Sequence, residues 1–458
     1  MPSSSAQRGR AIPAVAALGL LAALLAAPGA RATTAAAAVQ RHASAPVALH
    51  AGPNFLNLPA PLSTSACEAA YGIRCYTPAQ LHVAYDLNPL YRRHIDGRGT
   101  TIVVPIPFGS PTIRHDLAVF DRQFGLPDPP LRVVRFGDIP AYDPTSLERV
   151  EWAAGTTLVV ENAHEIAPQA TIVIAETMGT DDAATDGFAE ILQAERSLVQ
   201  AGVGDVIAQI EAGAESDFPG VSQGDDASLL ALRGTYRDAA AHHVTVLASA
   251  GNGGASSGWP STDPLTTSVG GAELYLDGAG HQVRPPTTWN DGFGAAGGGG
   301  LSAVFARPSY QDAVRNVVGV HRGVPDIAMG ASVDGGGWVY ASFGGTGGTG
   351  WDIFDATGEA MSQFAGVVAL ADQMAGQGLG RINPALYRLG QRAEQGKQGK
   401  HGTGLVDITE GDTSHDGVIG HQAMPGYDLA TGWGTIDAAA FVPALARTAT
   451  RHPGCCRR

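Results

Sequence analysis

Hydrophobic and polar positions along the chain predict strands and helices in alternation. Apolar runs of β type at residues 100–107, 171–175, 205–210 and 244–248 predict buried strands, and helical patterns separate each run from the next. Strands that alternate with helices indicate a mostly parallel sheet with helices on both faces. We therefore predict a three-layer α/β fold.

Two helices are predicted with definite bounds. Residues 113–124 have helical spacing, and Gly125 and Pro127 end the pattern. The helix predicted at about 357–374 is apolar almost all round, so we expect it to run through the centre of the molecule. No internal repeat or linker divides residues 67–446, which predicts one large domain.

The composition agrees with a large folded domain and excludes some partners. The chain has 458 residues, of which 44% are hydrophobic, so it can bury a sizeable core. The formal net charge of −14 would repel nucleic acid and anionic lipid. We therefore expect no nucleic-acid partner and no membrane association of the mature chain, and we expect a monomer.

The N-terminal residues predict export. Arginines precede an apolar stretch at residues 11–27, and small residues precede a cleavage point that we predict after Ala32. The stretch is short for a membrane span, so we interpret residues 1–32 as a signal peptide and not as an anchor. Residues 33–66 form a low-complexity leader, and residues 447–458 form a basic tail that contains cysteine. We expect the mature protein to be secreted.

Four cysteines are present, in two pairs along the chain. In an exported protein Cys67 and Cys75 are close enough in sequence to close a short loop, so we predict a disulfide between them. Cys455 and Cys456 lie in the C-terminal tail. Either an intermolecular bridge or free thiols is compatible with their position.

Three general catalytic patterns fail on their flanking residues. His164 begins a zinc-protease-like string, but Pro168 stands where the second ligand should be, so we reject zinc catalysis. Residues 254–258 match a nucleophile elbow, but the proline-rich segment after them cannot start a helix there. The glycine runs at 297–300 and 344–350 lack the lysine of a phosphate loop, so we interpret them as turns or as the floor of a groove.

Several motifs, in one order along residues 75–440, resemble the sedolisins, the serine-carboxyl peptidases with a subtilisin-like fold. The motifs are CYTPAQL (75–81), AHEIAP (163–168), WPSTDP (259–264), SVGG (268–271), GLS (300–302), RPSYQ (307–311), PDIA (325–328), QFAGVVAL (363–370) and GYDLATG (426–432). The resemblance implies an exported, acid-active endopeptidase. It also implies a serine nucleophile, a glutamate base, an aspartate that orients the base and a second aspartate in the oxyanion hole.

The residues at those four positions differ from the family pattern. Gly155 stands for the glutamate base and Val159 for its aspartate partner, and neither can accept a proton. Gly358 occupies the position of the nucleophilic serine. Asn252 replaces the acidic oxyanion residue and can still donate a hydrogen bond to an oxygen. We therefore predict that no catalytic residue of the family set is intact and that the chain is proteolytically inactive.

Neighbouring residues offer an alternative. A shift in the alignment would make Glu151 or Glu161 the acid and Ser362 the nucleophile, and otherwise these residues belong to the surface or to helix packing. Active members of the family carry a long folded pro-region, whereas residues 33–66 are what precede the predicted domain. This shorter leader agrees with an inert protein.

A second family feature is intact in the sequence. The resemblance implies a calcium site, in which Asp407 and Asp428 supply carboxylates and backbone carbonyls supply further hard oxygen ligands. The candidate carbonyls belong to Ile408, Met424 and Gly426. The alternative is that both aspartates only cap turns.

Three functions remain open at this point. The first is an exported, inactive sedolisin homologue that binds a peptide or protein in the retained groove. The second is an active acid endopeptidase that uses the displaced residues. The third is a structural envelope protein in which the cleft has no role.

Overall fold

The structure is a computed structural model that describes residues 56–178, 186–290, 292, 294–345, 348–396 and 402–450. Its helices are α1 (Thr64–Tyr71), α2 (Pro78–Ala84), α3 (Asn88–Tyr91), α4 (Ile113–Phe124), α5 (Leu147–Ile166), α6 (Asp186–Gln200), α7 (Ala227–Leu232), α8 (Gly234–Ala241), α9 (Arg315–Val318), α10 (Thr357–Ala375), α11 (Asn383–Glu394) and α12 (Ala438–Thr450). Its strands are β1 (Cys75–Tyr76), β2 (Thr101–Pro107), β3 (Leu131–Phe136), β4 (Thr171–Thr177), β5 (Val206–Gln209), β6 (Gly213–Ala214), β7 (Thr245–Ser249), β8 (Gly258–Trp259), β9 (Thr267–Glu273), β10 (Thr287–Thr288), β11 (Gly300–Ala306), β12 (His321–Val324), β13 (Ile327–Gly330), β14 (Gly336–Ala341), β15 (Gly350–Ile353), β16 (Leu405–Val406) and β17 (Thr435–Ile436).

The central sheet of the described chain has eight strands in the order β10-β9-β7-β5-β2-β4-β3, with β13 also paired to β9. All of its pairings are parallel except that of β10 with β9. The strands predicted from the apolar runs are β2, β4, β5 and β7, and they lie next to each other in the sheet. The predicted mostly parallel sheet is confirmed.

Side chains of β2 alternate between two hydrophobic layers. Ile102, Val104 and Ile106 join a cluster with α5 and α10 on one face, whereas Val103 joins a second cluster with α6 and α8 on the other. This alternation follows from the two-residue period of a strand. The predicted three-layer, subtilisin-like arrangement is therefore confirmed.

Helix α10 has nearly the predicted bounds and lies in the larger cluster. Its side chains from Thr357 to Asp372 are all buried, and Gly376 ends it in the left-handed conformation that glycine adopts at little cost. The helix packs on α5, α12 and the strands β5, β7, β9 and β13. An apolar pattern all round a helix is the sequence signature of this position.

Described elements extend beyond both ends of the predicted domain. Leu58 bridges to Trp351 through two backbone hydrogen bonds of 3.0 and 2.9 Å, and α1 begins at Thr64, so the packed chain begins before residue 67. Helix α12 continues to Thr450, four residues beyond the predicted end at 446. The predicted signal peptide, most of the predicted leader and residues 451–458 lie outside the described residues.

The predicted disulfide between Cys67 and Cys75 is present, with the two Cα atoms 6.1 Å apart. It joins α1 to β1. Cys455 and Cys456 lie outside the described residues. Within the described chain, no helix has the length and apolar character needed to cross a membrane.

Candidate functional site

Asn252 lies in the loop after β7 and is fixed at the start of α10. Its Oδ1 accepts hydrogen bonds from the backbone amide and the hydroxyl of Thr357, both 2.9 Å long. The Thr357 hydroxyl in turn accepts a hydrogen bond of 3.0 Å from the amide of Gly251. Because Oδ1 is engaged in this way, the side-chain nitrogen of Asn252 is the group left to bind an oxygen atom of a ligand.

The glycine run at 297–300 lies close to the backbone of the loop that contains Asn252. The amide of Gly298 donates to the carbonyl of Gly251 at 2.7 Å, and that of Gly299 donates to the carbonyl of Ser256 at 2.8 Å. A Cβ at Gly298 would lie only 2.3 Å from the carbonyl oxygen of Ala250. This part of the glycine run is a support for the Asn252 loop, as expected for a groove floor.

Gly358 occupies the first turn of α10, directly after Thr357. A Cβ built at this position would meet Ile210 at 3.6 Å and Ala356 at 3.8 Å, which are ordinary contact distances. The space for a small side chain is therefore retained. Packing therefore does not require glycine at position 358.

Gly155 and Val159 lie one turn apart on α5, and both are buried. Val159 belongs to the same hydrophobic cluster as Ile210, the residue that faces Gly358. Helices α5 and α10 pack on each other. The structure joins Asn252 to Thr357, the residue before Gly358, and it places Val159 in the hydrophobic cluster that contains Ile210. No direct contact of Gly155 with these residues is seen in the described chain.

The displaced candidates have other contacts. The hydroxyl of Ser362 is buried and donates to the carbonyls of Gly358 and Glu359 in its own helix. Glu161 is also buried, and its Oε2 accepts a hydrogen bond of 2.8 Å from the amide of Tyr340. Glu151 is only partly buried on the first part of α5. Among the described residues, no hydrogen bond joins Glu161 to Ser362.

One polar group next to the site was missed by the sequence analysis. Glu359 follows Gly358, is buried, and accepts hydrogen bonds from the amide of Gly337 at 3.1 Å and from the side chain of Gln363 at 3.2 Å. Gln363 also donates to Asn162 on α5 at 3.3 Å. Glu359 and Gln363, four apart on a mostly apolar helix, were the signal that could have revealed this network.

Burial changes the protonation of the carboxyls around α5 and α10. Desolvation raises the pKa of Glu161, Glu165 and Glu359 well above the usual value for glutamate. The hydrogen bonds from Tyr340 and Gly337 oppose this rise only in part. Burial therefore favours the neutral form of these carboxyls.

The patterns rejected from the sequence have structural roles of other kinds. Residues 254–258 continue into the short strand β8 and not into a helix, so no nucleophile elbow forms. His164 is buried in α5, with its Nε2 2.9 Å from Oδ1 of Asp121 on α4. Within the described chain, no group of three or more His, Cys, Asp or Glu side chains is arranged to hold a metal ion.

The loops of the predicted calcium site contact each other. Oδ2 of Asp407 accepts a hydrogen bond of 2.8 Å from the amide of Gly426, and Oδ2 of Asp428 accepts one of 2.8 Å from the amide of Met424. Oδ1 of Asp428 accepts the amides of Ala430 and Thr431. The donor set, two carboxylates with backbone carbonyls nearby in sequence, fits a hard cation chemically. The same hydrogen bonds also fit aspartates that cap turns.

The fold defines the class: a subtilisin-like α/β protein. Comparison with known proteins shows which sequences the chain resembles. Kumamolisin of Bacillus sp. (strain MN-32) is 33% identical over 228 residues, which cover 46% of this chain and 38% of that protein. Sedolisin of Pseudomonas sp. (strain 101) is 29% identical over 187 residues, covering 40% and 29%. Tripeptidyl-peptidase 1 of Homo sapiens is 28% identical over 270 residues, covering 50% and 42%.

Among solved structures, the chain matches Pseudomonas sedolisin with a TM-score of 0.66 and 21% identity. That structure is a serine-carboxyl proteinase in complex with two molecules of pseudo-iodotyrostatin. The match covers 82% of this chain and 99% of that one. No protein-family model matches the chain. The matched segments span less than half of the length of the three curated relatives. The chain is therefore similar in sequence to kumamolisin, sedolisin and tripeptidyl-peptidase 1, and it has the fold of sedolisin.

Proposed function

We propose that the chain is an exported, proteolytically inactive sedolisin homologue that binds a peptide or protein in the cleft at the start of α10. The observation that carries this proposal is the geometry of Asn252. Its oxygen is held by Thr357, so its nitrogen is left as a donor near the start of α10, where Gly358 follows Thr357. A peptide carbonyl is the natural acceptor for such a donor.

Two observations favour inactivity over an active endopeptidase with displaced residues. The Ser362 hydroxyl is buried and engaged with carbonyls of its own helix, and Glu161 is buried and engaged with a backbone amide. A nucleophile needs a base within hydrogen-bond reach. A peptidase that has lost its nucleophile and base retains only about 10³ to 10⁴-fold acceleration over water.

The first test is cleavage. The purified mature chain is incubated with denatured protein between about pH 3 and 7, with Ser362→Ala, Glu151→Ala and Glu161→Ala in parallel. We expect no cleavage by any of them. Cleavage by the parent chain that one of these substitutions abolishes would establish the active alternative instead.

The second test is binding, with a peptide library and the variant Asn252→Asp. Aspartate keeps the oxygen that Thr357 holds but replaces the donor nitrogen by an acceptor. We expect affinity near neutral pH to fall about tenfold or more, since a buried carbonyl would lose its partner. Binding of no peptide would favour the structural envelope protein, and equal affinity of the two chains would place the ligand outside the cleft.

We also propose that Asp407 and Asp428 bind calcium, together with carbonyls of Ile408, Met424 and Gly426. The ion would join two loops whose carboxylates otherwise repel each other. At free calcium 100 times the dissociation constant, linkage adds about 2.7 kcal/mol of stability, a shift of a few degrees in Tm. Melts with calcium and with chelator test this, and Asp407→Asn should lose the calcium-dependent part. Identical melts of the parent chain would remove the site.

A further inference from the structure

Two buried carboxyls hold strand β14 against the helices. Oε2 of Glu161, on α5, accepts the amide of Tyr340 at 2.8 Å, and Oε1 of Glu359, on α10, accepts the amide of Gly337 at 3.1 Å. The second oxygen of each carboxyl has no hydrogen-bond partner among the described residues. Side chains of two helices therefore bind two amides of β14.

A third carboxyl acts just beyond the end of the strand. Asp116, on α4, accepts the hydroxyl of Ser342 at 2.5 Å and the amide of Ser342 at 3.2 Å. It also accepts the hydroxyl of Thr112 at 2.6 Å and is fully buried. Three helices thus fasten one segment, residues 337–342, through three acidic side chains. We call Asp116, Glu161 and Glu359 the carboxyl clasp.

The surroundings of the clasp contain many acids and few bases. The charged and titratable groups that face it from the packed elements are Asp121 and His115 on α4, Glu165 and His164 on α5, and Asp355 before α10. Lys and Arg are not among the charged groups that act on Glu161 or Glu359 in the described structure. Ionisation of the clasp would therefore place like charges in the core without a counter-ion.

The sign of the resulting pH dependence follows from burial. Desolvation raises the pKa of Asp116, Glu161 and Glu359 in the folded chain, and the neighbouring acids raise that of Glu161 further. The stability that comes from these groups is complete below the unfolded pKa and is lost as pH rises through the folded pKa. Ionisation strengthens each single hydrogen bond, but the buried charge costs more. Local opening, which admits water, is the smallest rearrangement that relieves it.

The clasp is connected to the cleft through the adjacent strand. Strand β14 pairs with β15 in antiparallel register, with Tyr340 opposite Trp351. Strand β15 ends at Ile353, and α10 begins four residues later at Thr357, the residue that holds Asn252. Movement of β14 and β15 would therefore displace the backbone that presents Gly358.

We propose that the carboxyl clasp is a pH-dependent fastening of β14 and β15 that is closed in acid and loosens as pH rises toward and above neutrality. Loosening changes the geometry of the cleft at Gly358, and its consequence for ligand binding rests on the proposed function. The fastening itself requires no ligand. Its failure and the failure of peptide binding can therefore be told apart.

Amide hydrogen exchange of the full chain tests the proposal. We expect protection of the Tyr340 and Gly337 amides, corrected for the intrinsic pH dependence of exchange, to fall about tenfold or more between about pH 5 and 8. Amides of β2 and β4 in the central sheet are the internal reference and should retain their protection. Equal protection of Tyr340 and Gly337 at both pH values would overturn the proposal, as would an equal fall in the reference strands.

The matched variant is Glu161→Gln with Glu359→Gln. Glutamine keeps an oxygen that can accept the amide but cannot ionise, so protection of Tyr340 and Gly337 should become independent of pH. Persistence of the full pH dependence in a folded double variant would overturn the role of these carboxyls. If the double variant does not fold, each single variant is measured instead. The protection of the amide that its substituted carboxyl binds should then depend less on pH. The pH dependence of protection in the parent chain then decides whether the proposal stands.

Discussion

Asp326 and the clasp residues Glu161 and Glu359 are all buried carboxyls, but their partners differ. Asp326 receives both Nη groups of Arg322 at 2.7 and 2.5 Å, and also the hydroxyl of Tyr387 and the amide of Ser268, each at 2.8 Å. Each clasp glutamate binds a backbone amide, and among the described residues neither forms an ion pair with a lysine or arginine. The two regions therefore have the same burial and opposite electrostatic conditions.

The difference decides which protonation state each region favours. Burial lowers the pKa of Arg322, but the charge of Asp326 more than compensates, and the net pKa of Arg322 lies above its usual value. Arg322 thus remains a cation beside Asp326. Burial favours the neutral form of the clasp glutamates. One core therefore contains a buried carboxyl with a cationic partner and buried carboxyls that bind backbone amides.

Breaking the ion pair should give the largest effect. Arg322→Met leaves Asp326 buried without its cation, and we expect a loss of about 3–5 kcal/mol in the free energy of unfolding. Urea unfolding near neutral pH measures this. The double variant with Asp326→Leu is the control and should recover part of the loss, because no charge then remains unpaired. A loss below about 1 kcal/mol in the single variant would contradict the comparison.

A buried carboxyl without a hydrogen-bond partner among the described residues tests the effect of burial on stability by itself. Glu195 on α6 is buried, neither oxygen has a hydrogen-bond partner among the described residues, and desolvation raises its pKa to about 8. Its folded pKa exceeds the unfolded value, so stability falls as pH rises between the two. Relative to Glu195→Gln, the parent chain should lose about 1.4 kcal/mol per pH unit between about pH 5 and 8.

The measurement for Glu195 is urea unfolding at several pH values. Glutamine removes the charge and preserves the shape, so the difference between the two chains isolates the titration. Parallel curves would contradict the raised pKa. They would also weaken the argument that a missing cation, and not the neighbouring acids, makes a buried carboxyl sensitive to pH.

The sequence predicted the sheet and the central helix well because their patterns are strong and local. Apolar runs marked β2 and β4, and Gly125 marked the end of α4. The positions of Asn252 and Gly358 followed from family motifs on either side. The hydrogen bonds between Asn252 and Thr357 could not be predicted from the sequence, because these two residues are 105 positions apart.

The carboxyl clasp could not be predicted from sequence. Glu161 and Tyr340 are 179 residues apart, and nothing near either residue indicates the other. Glu359 lies in a helix whose apolar character suggested packing alone. The packed start at Leu58 was also missed, since its bridge to Trp351 depends on a strand from the far end of the chain.

A buried carboxyl beside a histidine is intermediate between a carboxyl paired with arginine and one without a cationic partner. Asp121 is buried 2.9 Å from His164, a partner that is charged only when protonated. Asp121→Leu leaves the buried imidazole without its polar neighbour, and we expect a loss of about 1–3 kcal/mol. Asp121→Asn keeps a polar side chain beside His164 and should lose less. Urea unfolding near pH 6 measures both, and the opposite ranking would contradict a stabilising contact between these two side chains.

The smallest effect is expected where the same charges face water. Arg196 donates to Asp238 at 2.7 Å, with 52% of the Arg196 side chain exposed. Water and salt screen such a pair, so Arg196→Met should cost about 0.2–1 kcal/mol, and less at high ionic strength. The measurement is urea unfolding at low and high salt, beside Arg322→Met under the same conditions. A loss equal to that of Arg322→Met would mean that burial does not govern the strength of these pairs, and the contrast between the ion pair and the clasp would then need another cause.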